Sequence, residues 1–275
     1  MAIVGVGSIL LDYHVHTTFS IDALSSVTEC CVAATERGLA EICFTDHLDF
    51  SPADPGSGRL DPERYLEAVS RASGAHRLTV LLGAEVGVDR ASHPACLAFM
   101  KKHPLPFDFL LGSVHVVEGH LIDLPFLATR TREAAYRAYF EELEAAVRVA
   151  ASERLFDAVG HFDLIKRYAP TGFGPFRLDD CRDQAETILR LAADGGVGLE
   201  INTSGLRGPL GETLPALEIL RRFRELGGEV LTIGSDSHRA KSVGAGVSEA
   251  LDLAREAGFG AITSFRGRHP IWVSI

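Results

Sequence analysis

The chain has 275 residues, of which 46% are hydrophobic and 23% charged, and carries a formal net charge of -10. That length supplies a sizeable core without staples, so a metal bound here serves chemistry before folding. The acidic balance disfavours a nucleic-acid partner, which needs clustered basic residues to displace phosphate counterions. The cysteines, Cys30, Cys31, Cys43, Cys96 and Cys181, are odd in number and lack paired zinc spacing, which suits reduced thiols in a cytoplasmic protein. No apolar run approaches the roughly 20 residues that span a bilayer. The stretch from Met1 to Leu11 has no basic residues before its apolar ones and reads as a first strand, not a signal peptide.

Short apolar runs then alternate with helical patterns to the end of the chain. Ile9 to Tyr13 reads as a strand, Val27 to Arg37 as a helix ended by Gly38, and Glu41 to Thr45 as a strand. Asp61-Pro62 supplies an N-cap and a first-turn proline for a helix through Ser73. Leu78 to Glu85 and Phe107 to His115 read as strands, and Thr131 to Arg154 as a long helix. Ala158 to His161 is a short strand, Leu178 to Ala193 a helix, and Val197 to Asn202 a strand. Glu212 to Leu226 reads as a helix ended by Gly227-Gly228, and Glu229 to Ser235 as a strand. A helix from Ser248 to Ala257 and a strand from Ala261 to Thr263 complete the pattern.

This alternation implies parallel βαβ units, and at this length a single closed or nearly closed α/β barrel over residues 1–275 is favoured over a doubly wound sheet. Two irregular stretches, Asp49 to Leu60 and Val116 to Arg130, follow motif-bearing strands and are expected to wall the active face.

The chemistry collects at strand ends. Asp12, His14 and His16 end the first strand, and the two-residue period of a strand points both histidines the same way. Asp46 and His47 end the second strand, Glu85 the third, His115 the fourth and His161 the fifth, while Asp236 and His238 follow a later one. In a parallel barrel these ends converge on one face. The remaining histidines behave differently: His76, His93, His103 and His269 read as surface residues, and His120 sits in an irregular loop beside the expected site. Imidazole nitrogen mixed with carboxylate oxygen suits zinc, manganese or iron better than calcium or magnesium. Ten candidate ligands exceed the four or so that one ion uses, so two or three ions are expected. Ions about 3.5–4 Å apart can clamp a phosphate and supply a nucleophile at neutral pH.

The ordered set of HxH, Thr45-Asp46-His47, an isolated Glu85, Gly112-Ser113-Val114-His115, Gly160-His161-Phe162-Asp163 and Ser235-Asp236-Ser237-His238 resembles the polymerase-and-histidinol-phosphatase (PHP) superfamily over nearly the whole chain. The resemblance implies a distorted (β/α)7 barrel holding three metal ions. His14, His16, Glu85 and Asp236 would hold the first, and Glu85, bridging, with His115 and His161 the second. His47 and His238 with Asp22 would hold the third, although Asp22 also reads as a cap for the helix after it. Glu85, Asp236 and His238 would be the catalytic groups.

Within the superfamily, Phe44 to His47, His161 to Tyr168 and Glu200 to Arg207 look most like histidinol-phosphate phosphatases. That similarity implies hydrolysis of L-histidinol phosphate, with Arg167 and Arg207 reaching the substrate phosphate by guanidinium forks. The segments Val86 to Asp89 and Val116 to His120 depart from the pattern, and the only tryptophan is Trp272. Another nucleotide, oligonucleotide or small phosphate ester therefore stays open as substrate, as does a non-catalytic module. The expected partner is a small phosphorylated molecule, and the oligomeric state is open.

Overall fold

The computed structural model describes residues 9–74 and 77–275; the strand reading of the first eight residues and the surface reading of His76 fall outside them. The strands are β1 (Leu11–Val15), β2 (Glu41–Phe44), β3 (His47–Asp49), β4 (Thr79–Gly87), β5 (Phe109–Ser113), β6 (Val116–Val117), β7 (His120–Leu121), β8 (Ala158–Val159), β9 (Gly198–Asn202) and β10 (Leu231–Gly234), followed by β11 (Ala261–Arg266) and β12 (His269–Ser274). Seven of them run parallel in the order β1-β2-β4-β5-β8-β9-β10, and β3 adds a short extension beside β4. β1, β2, β5 and β9 are buried at every residue. Strands covered on both faces need no polar side, which is why the sequence shows unbroken apolar runs.

The seam between β10 and β1 closes without a regular ladder. Ser237 and Val15 form a single parallel bridge, and His16 N–H donates to the Ser237 carbonyl at 2.8 Å. Asp12 completes the seam: its carboxylate accepts from Ser235 N–H at 2.8 Å and from Gly244 N–H at 2.7 Å. The result is the single-domain, nearly closed parallel barrel expected from the alternation.

The helices are α1 (Val27–Glu36), α2 (Pro62–Ala72), α3 (His93–Lys102), α4 (Leu124–Ala128), α5 (Arg132–Glu153), α6 (Arg182–Asp194), α7 (Leu217–Glu225) and α8 (Val247–Glu256). Local chemistry sets several boundaries. Ser26 and Glu29 form a capping box on α1, and Asp61 caps α2 with Pro62 in its first turn. Thr131 caps α5, which stops where Arg154 turns left-handed at φ 54°. No helix among the described residues is long and apolar enough to cross a membrane.

Three expectations change. The last strand does not extend the barrel: β11 folds back on β12 as an antiparallel hairpin through Gly267 and Arg268, both at positive φ. Asp12 has already closed the barrel, so the hairpin is free to cap its N-terminal mouth, where Phe265 N–H donates to the Tyr13 hydroxyl at 2.8 Å. The helix read from Glu212 begins only at Leu217, because Leu214 exchanges two backbone hydrogen bonds with Asn202 at 2.8 and 2.9 Å. The stretch from Val116 to Arg130 contains the β6–β7 hairpin and α4, so it is a built wall rather than an irregular loop.

Candidate metal centre

The C-terminal strand ends carry the predicted residues to one place. His14 and His16 leave β1 on the same face, both fully buried, with their Nε2 atoms 3.0 Å apart. Register does the same for the next pair: β3 sets His47 directly beside Glu85 of β4. Five imidazole nitrogens, from His14, His16, His47, His115 and His161, lie 2.9 to 3.4 Å from the Glu85 oxygens. Asp236 Oδ1 stands 3.8 Å from both His14 and His16. Asp22 does not cap α1, a role taken by Ser26; its Oδ2 lies 3.1 Å from His238 Nε2 and 3.6 Å from His47 Nε2. His161 and Asp236 adopt left-handed backbone, at φ 26° and 51°, a cost that non-glycine residues bear mainly at functional sites.

The surroundings settle which nitrogens face inward. Glu200, buried on β9, takes the His14 Nδ1 hydrogen at 2.6 Å and the His161 backbone N–H at 2.8 Å. Its carboxylate has room because Gly234 has no side chain: a Cβ there would lie 2.2 Å from Glu200 Oε1. His16 Nδ1 sits 3.1 Å from Ser20 Oγ, whose own hydrogen goes to Asp46 at 2.7 Å. Both rings therefore present bare Nε2 lone pairs to one another at 3.0 Å, an arrangement that calls for a cation between them. His161 Nδ1 and His47 Nδ1 are buried without a hydrogen-bond partner, and among the described residues no lysine lines the cavity. This donor set of imidazoles and carboxylates fits zinc and its neighbours.

Charge is concentrated accordingly. Burial alone would raise the Glu85 carboxyl, but the imidazoles of His14, His115 and His47 hold it well below the usual range. Burial opposes ionisation of Asp236 too, and His14, Arg167 and His238 overcome it. Two of the ten candidate ligands serve the scaffold instead. Asp12 forms the barrel seam, and Asp46 accepts from Thr17 N–H at 2.7 Å and from the Thr17 and Ser20 hydroxyls at 2.8 and 2.7 Å.

Above the cluster opens a cavity of about 360 Å³, walled by the two stretches expected to do so, through Asp54 to Gly56 and Leu121 to Asp123. Arg167 lines it, with Nη2 3.1 Å from Asp236 Oδ2. Arg207 does not line it: its Nη2 donates to the carbonyls of Ser235 at 2.7 Å and Asp236 at 3.3 Å, bracing the turn that carries Asp236. Outside the centre, His103 is partly buried against Phe99 at 4.7 Å between ring centroids, His93 is partly buried, and His269 and His120 are exposed. Sequence reasoning gave Glu200 and Asp49 no role. The available signal was a carboxylate inside the apolar run Gly198–Asn202, which burial would penalise unless it were paired.

Residues 12–204 match the PHP domain family model. The histidinol-phosphatase of Lactococcus lactis subsp. lactis is 32% identical over 262 residues, 94% of each chain. A Deinococcus radiodurans protein named "probable histidinol-phosphatase" is 31% identical, covering 94% of this chain and 97% of that one. The crystal structure of the Lactococcus lactis histidinol phosphate phosphatase, complexed with zinc, L-histidinol and phosphate, superposes with a TM-score of 0.84 at 29% identity, covering 95% of this chain and 98% of that one. Motif order, barrel topology and these full-length similarities agree: the chain belongs to the PHP family.

Proposed function

We propose that this chain is a metal-dependent phosphatase that hydrolyses L-histidinol phosphate to L-histidinol and phosphate. The observation that carries the reading is the convergence of His14, His16, Asp22, His47, Glu85, His115, His161, Asp236 and His238 in one cluster at the floor of a cavity that Arg167 lines. Three ions fit the groupings His14–His16–Glu85–Asp236, Glu85–His115–His161 and Asp22–His47–His238, with zinc, as in the Lactococcus lactis enzyme, or manganese or iron as occupants. Such ions, when bound, neutralise phosphate charge and activate water at neutral pH.

The chain's own groups supply the rest. Arg167 has one nitrogen tied to Asp236 and Ser204, and its remaining N–H groups are available to a phosphate oxygen in the cavity. Arg207 fixes the Ser235–Asp236 carbonyls and so holds the Asp236 carboxylate beneath the phosphate. Asp236 Oδ2 is held by Arg167, Ser204 and Asn202, which turns Oδ1 toward His14 and His16 as the first grouping requires. Glu85 spans the two inner groupings, and His238 stands at the outer rim beside Asp22.

The segments that depart from the family pattern do not overturn this. Val86 to Val88 are buried, and Glu118 to His120 are exposed at the tip of the β6–β7 hairpin. The wall residues Asp54 and Asp123 are acidic, which suits a leaving group that carries an ammonium. A cytoplasmic setting fits the five free, buried cysteines. The test is phosphate release by zinc- or manganese-loaded protein from L-histidinol phosphate and from p-nitrophenyl phosphate. A kcat/KM for L-histidinol phosphate at least 100-fold above that for the aryl ester is expected, and equal values would remove the substrate assignment.

A further inference from the structure

We propose that Asp49 is a shared positioning residue, one carboxylate that orients His47 and His115 toward two different metal ions. The inference rests on the metal reading above and adds a residue to it. Asp49 is 3% exposed, and neither of its side-chain oxygens has a hydrogen-bond donor. What faces them is two rings: Oδ2 lies 3.6 Å from His47 Nδ1, which also stands 3.1 Å from Glu85 Oε2, and Oδ1 lies 3.7 Å from His115 Nδ1. A rotation of each ring that closes these gaps would make both N–H···O contacts and would turn His47 Nδ1 from Glu85 to Asp49. With Nδ1 protonated toward Asp49, each ring is left with a bare Nε2, directed at Asp22 from His47 and at Glu85 from His115.

The register of the short β3–β4 pair explains how one residue reaches both rings. His47 pairs with Glu85 and Asp49 with Gly87, so ligand lies beside ligand and carboxylate beside glycine. A Cβ at position 87 would stand 1.9 Å from Asp49 Oδ1. The missing side chain is the passage through which the carboxylate leans across β4 toward His115, beyond the end of β5. Asp49 Oδ2 is also close-packed on Gly56, where a Cβ would lie 3.0 Å away. The inner histidines do not depend on Asp49, since His14 is set by Glu200 and His16 by Ser20.

This separation gives the test its readout. Asp49→Asn keeps the volume, but the amide can accept from only one of the two rings and offers an N–H to the other. Zinc affinities measured by competition with a chromophoric chelator are expected to fall about 10- to 100-fold for the ions of His47 and His115, while the ion of His14 and His16 stays within about twofold. Gly87→Ala, which leaves the carboxylate intact but displaces it, is expected to give the same pattern. The metal-free Asp49→Asn protein is expected to melt no lower than the metal-free parent, because it loses a buried anion that has no donor. An equal loss at all ions, or a lower metal-free melting temperature, would mean a general structural role and overturn the inference. Unchanged zinc affinity in Asp49→Asn would overturn it while leaving the phosphatase reading intact. A parent protein that binds no zinc would overturn both.

Discussion

The two mouths of the barrel are built from similar side chains and balanced in opposite ways. At the N-terminal mouth the buried carboxylates of Glu41 and Asp157 and the half-buried one of Asp108 are met by the protein itself. Glu41 accepts from Tyr13, Ser264 and Arg266, Asp157 takes a two-pronged Arg268 at 3.0 and 2.9 Å, and Asp108 accepts the Gly267 N–H at 3.0 Å. At the C-terminal mouth five histidines crowd Glu85, Asp49 has no donor, and Arg167, which lines the cavity, is held by Asp236 and Ser204. Charges compensated internally hold a structure together, whereas charges left for an outside cation make a site. The same barrel therefore keeps stability at one end and chemistry at the other.

Breaking the chemical end has the largest expected effect. Glu85→Gln removes the carboxylate shared by the two inner groupings, and phosphatase activity is expected to fall about 10³-fold or more, about 4 kcal/mol in barrier. Phosphate release and zinc content measured together check it; full zinc content with normal turnover would show that Glu85 is not a ligand. Breaking the structural end is the counterpart. Arg268→Asn, chosen because asparagine tolerates the left-handed φ of 65° at this position, takes the cation from buried Asp157 and leaves it the Leu110 N–H at 2.8 Å. Removing one member of a buried pair costs about 3–5 kcal/mol, and since Arg268 is a quarter exposed the expected loss is about 2–3 kcal/mol. Urea unfolding measures it. Turnover per folded molecule is expected to stay unchanged, and a fall in kcat would mean that the two mouths are coupled.

The same contrast decides what the sequence could tell. The proposed ligands were legible because a parallel barrel aligns strand ends, so an apolar run followed by His, Asp or Glu marks a candidate, although Asp12 and Asp46, marked the same way, brace the scaffold. Side chains that act on those ligands were not. Glu200 sits inside an apolar run and is explained only once β9 lies beside β10, with Gly234 making room for it. Asp49 falls in a stretch that reads as loop, because β3 is only three residues long and exists by pairing with β4. The hairpin at the other mouth was invisible for a related reason. Nothing local in Ala261–Thr263 says whether it joins the barrel, and that depends on Asp12 having closed the seam more than two hundred residues earlier. Arg207, placed on the phosphate by family likeness, is found on the Ser235 and Asp236 carbonyls.

The smallest expected effect probes the wall of the cavity, where the proposed substrate's leaving group would lie. Asp123 Oδ1 caps α4 by accepting from Phe126 N–H at 2.8 Å, and its residue also lines the cavity. Asparagine is as good an N-cap as aspartate, so Asp123→Asn keeps the cap and removes only the charge. A partly exposed carboxylate facing a cationic leaving group contributes about 1 kcal/mol or less, so KM for L-histidinol phosphate is expected to rise about three- to fivefold with kcat little changed. KM for p-nitrophenyl phosphate, which carries no cation, is expected to stay level. A parallel rise for both substrates would place the defect in the wall's shape, whereas a rise confined to the cationic ester assigns Asp123 to leaving-group recognition.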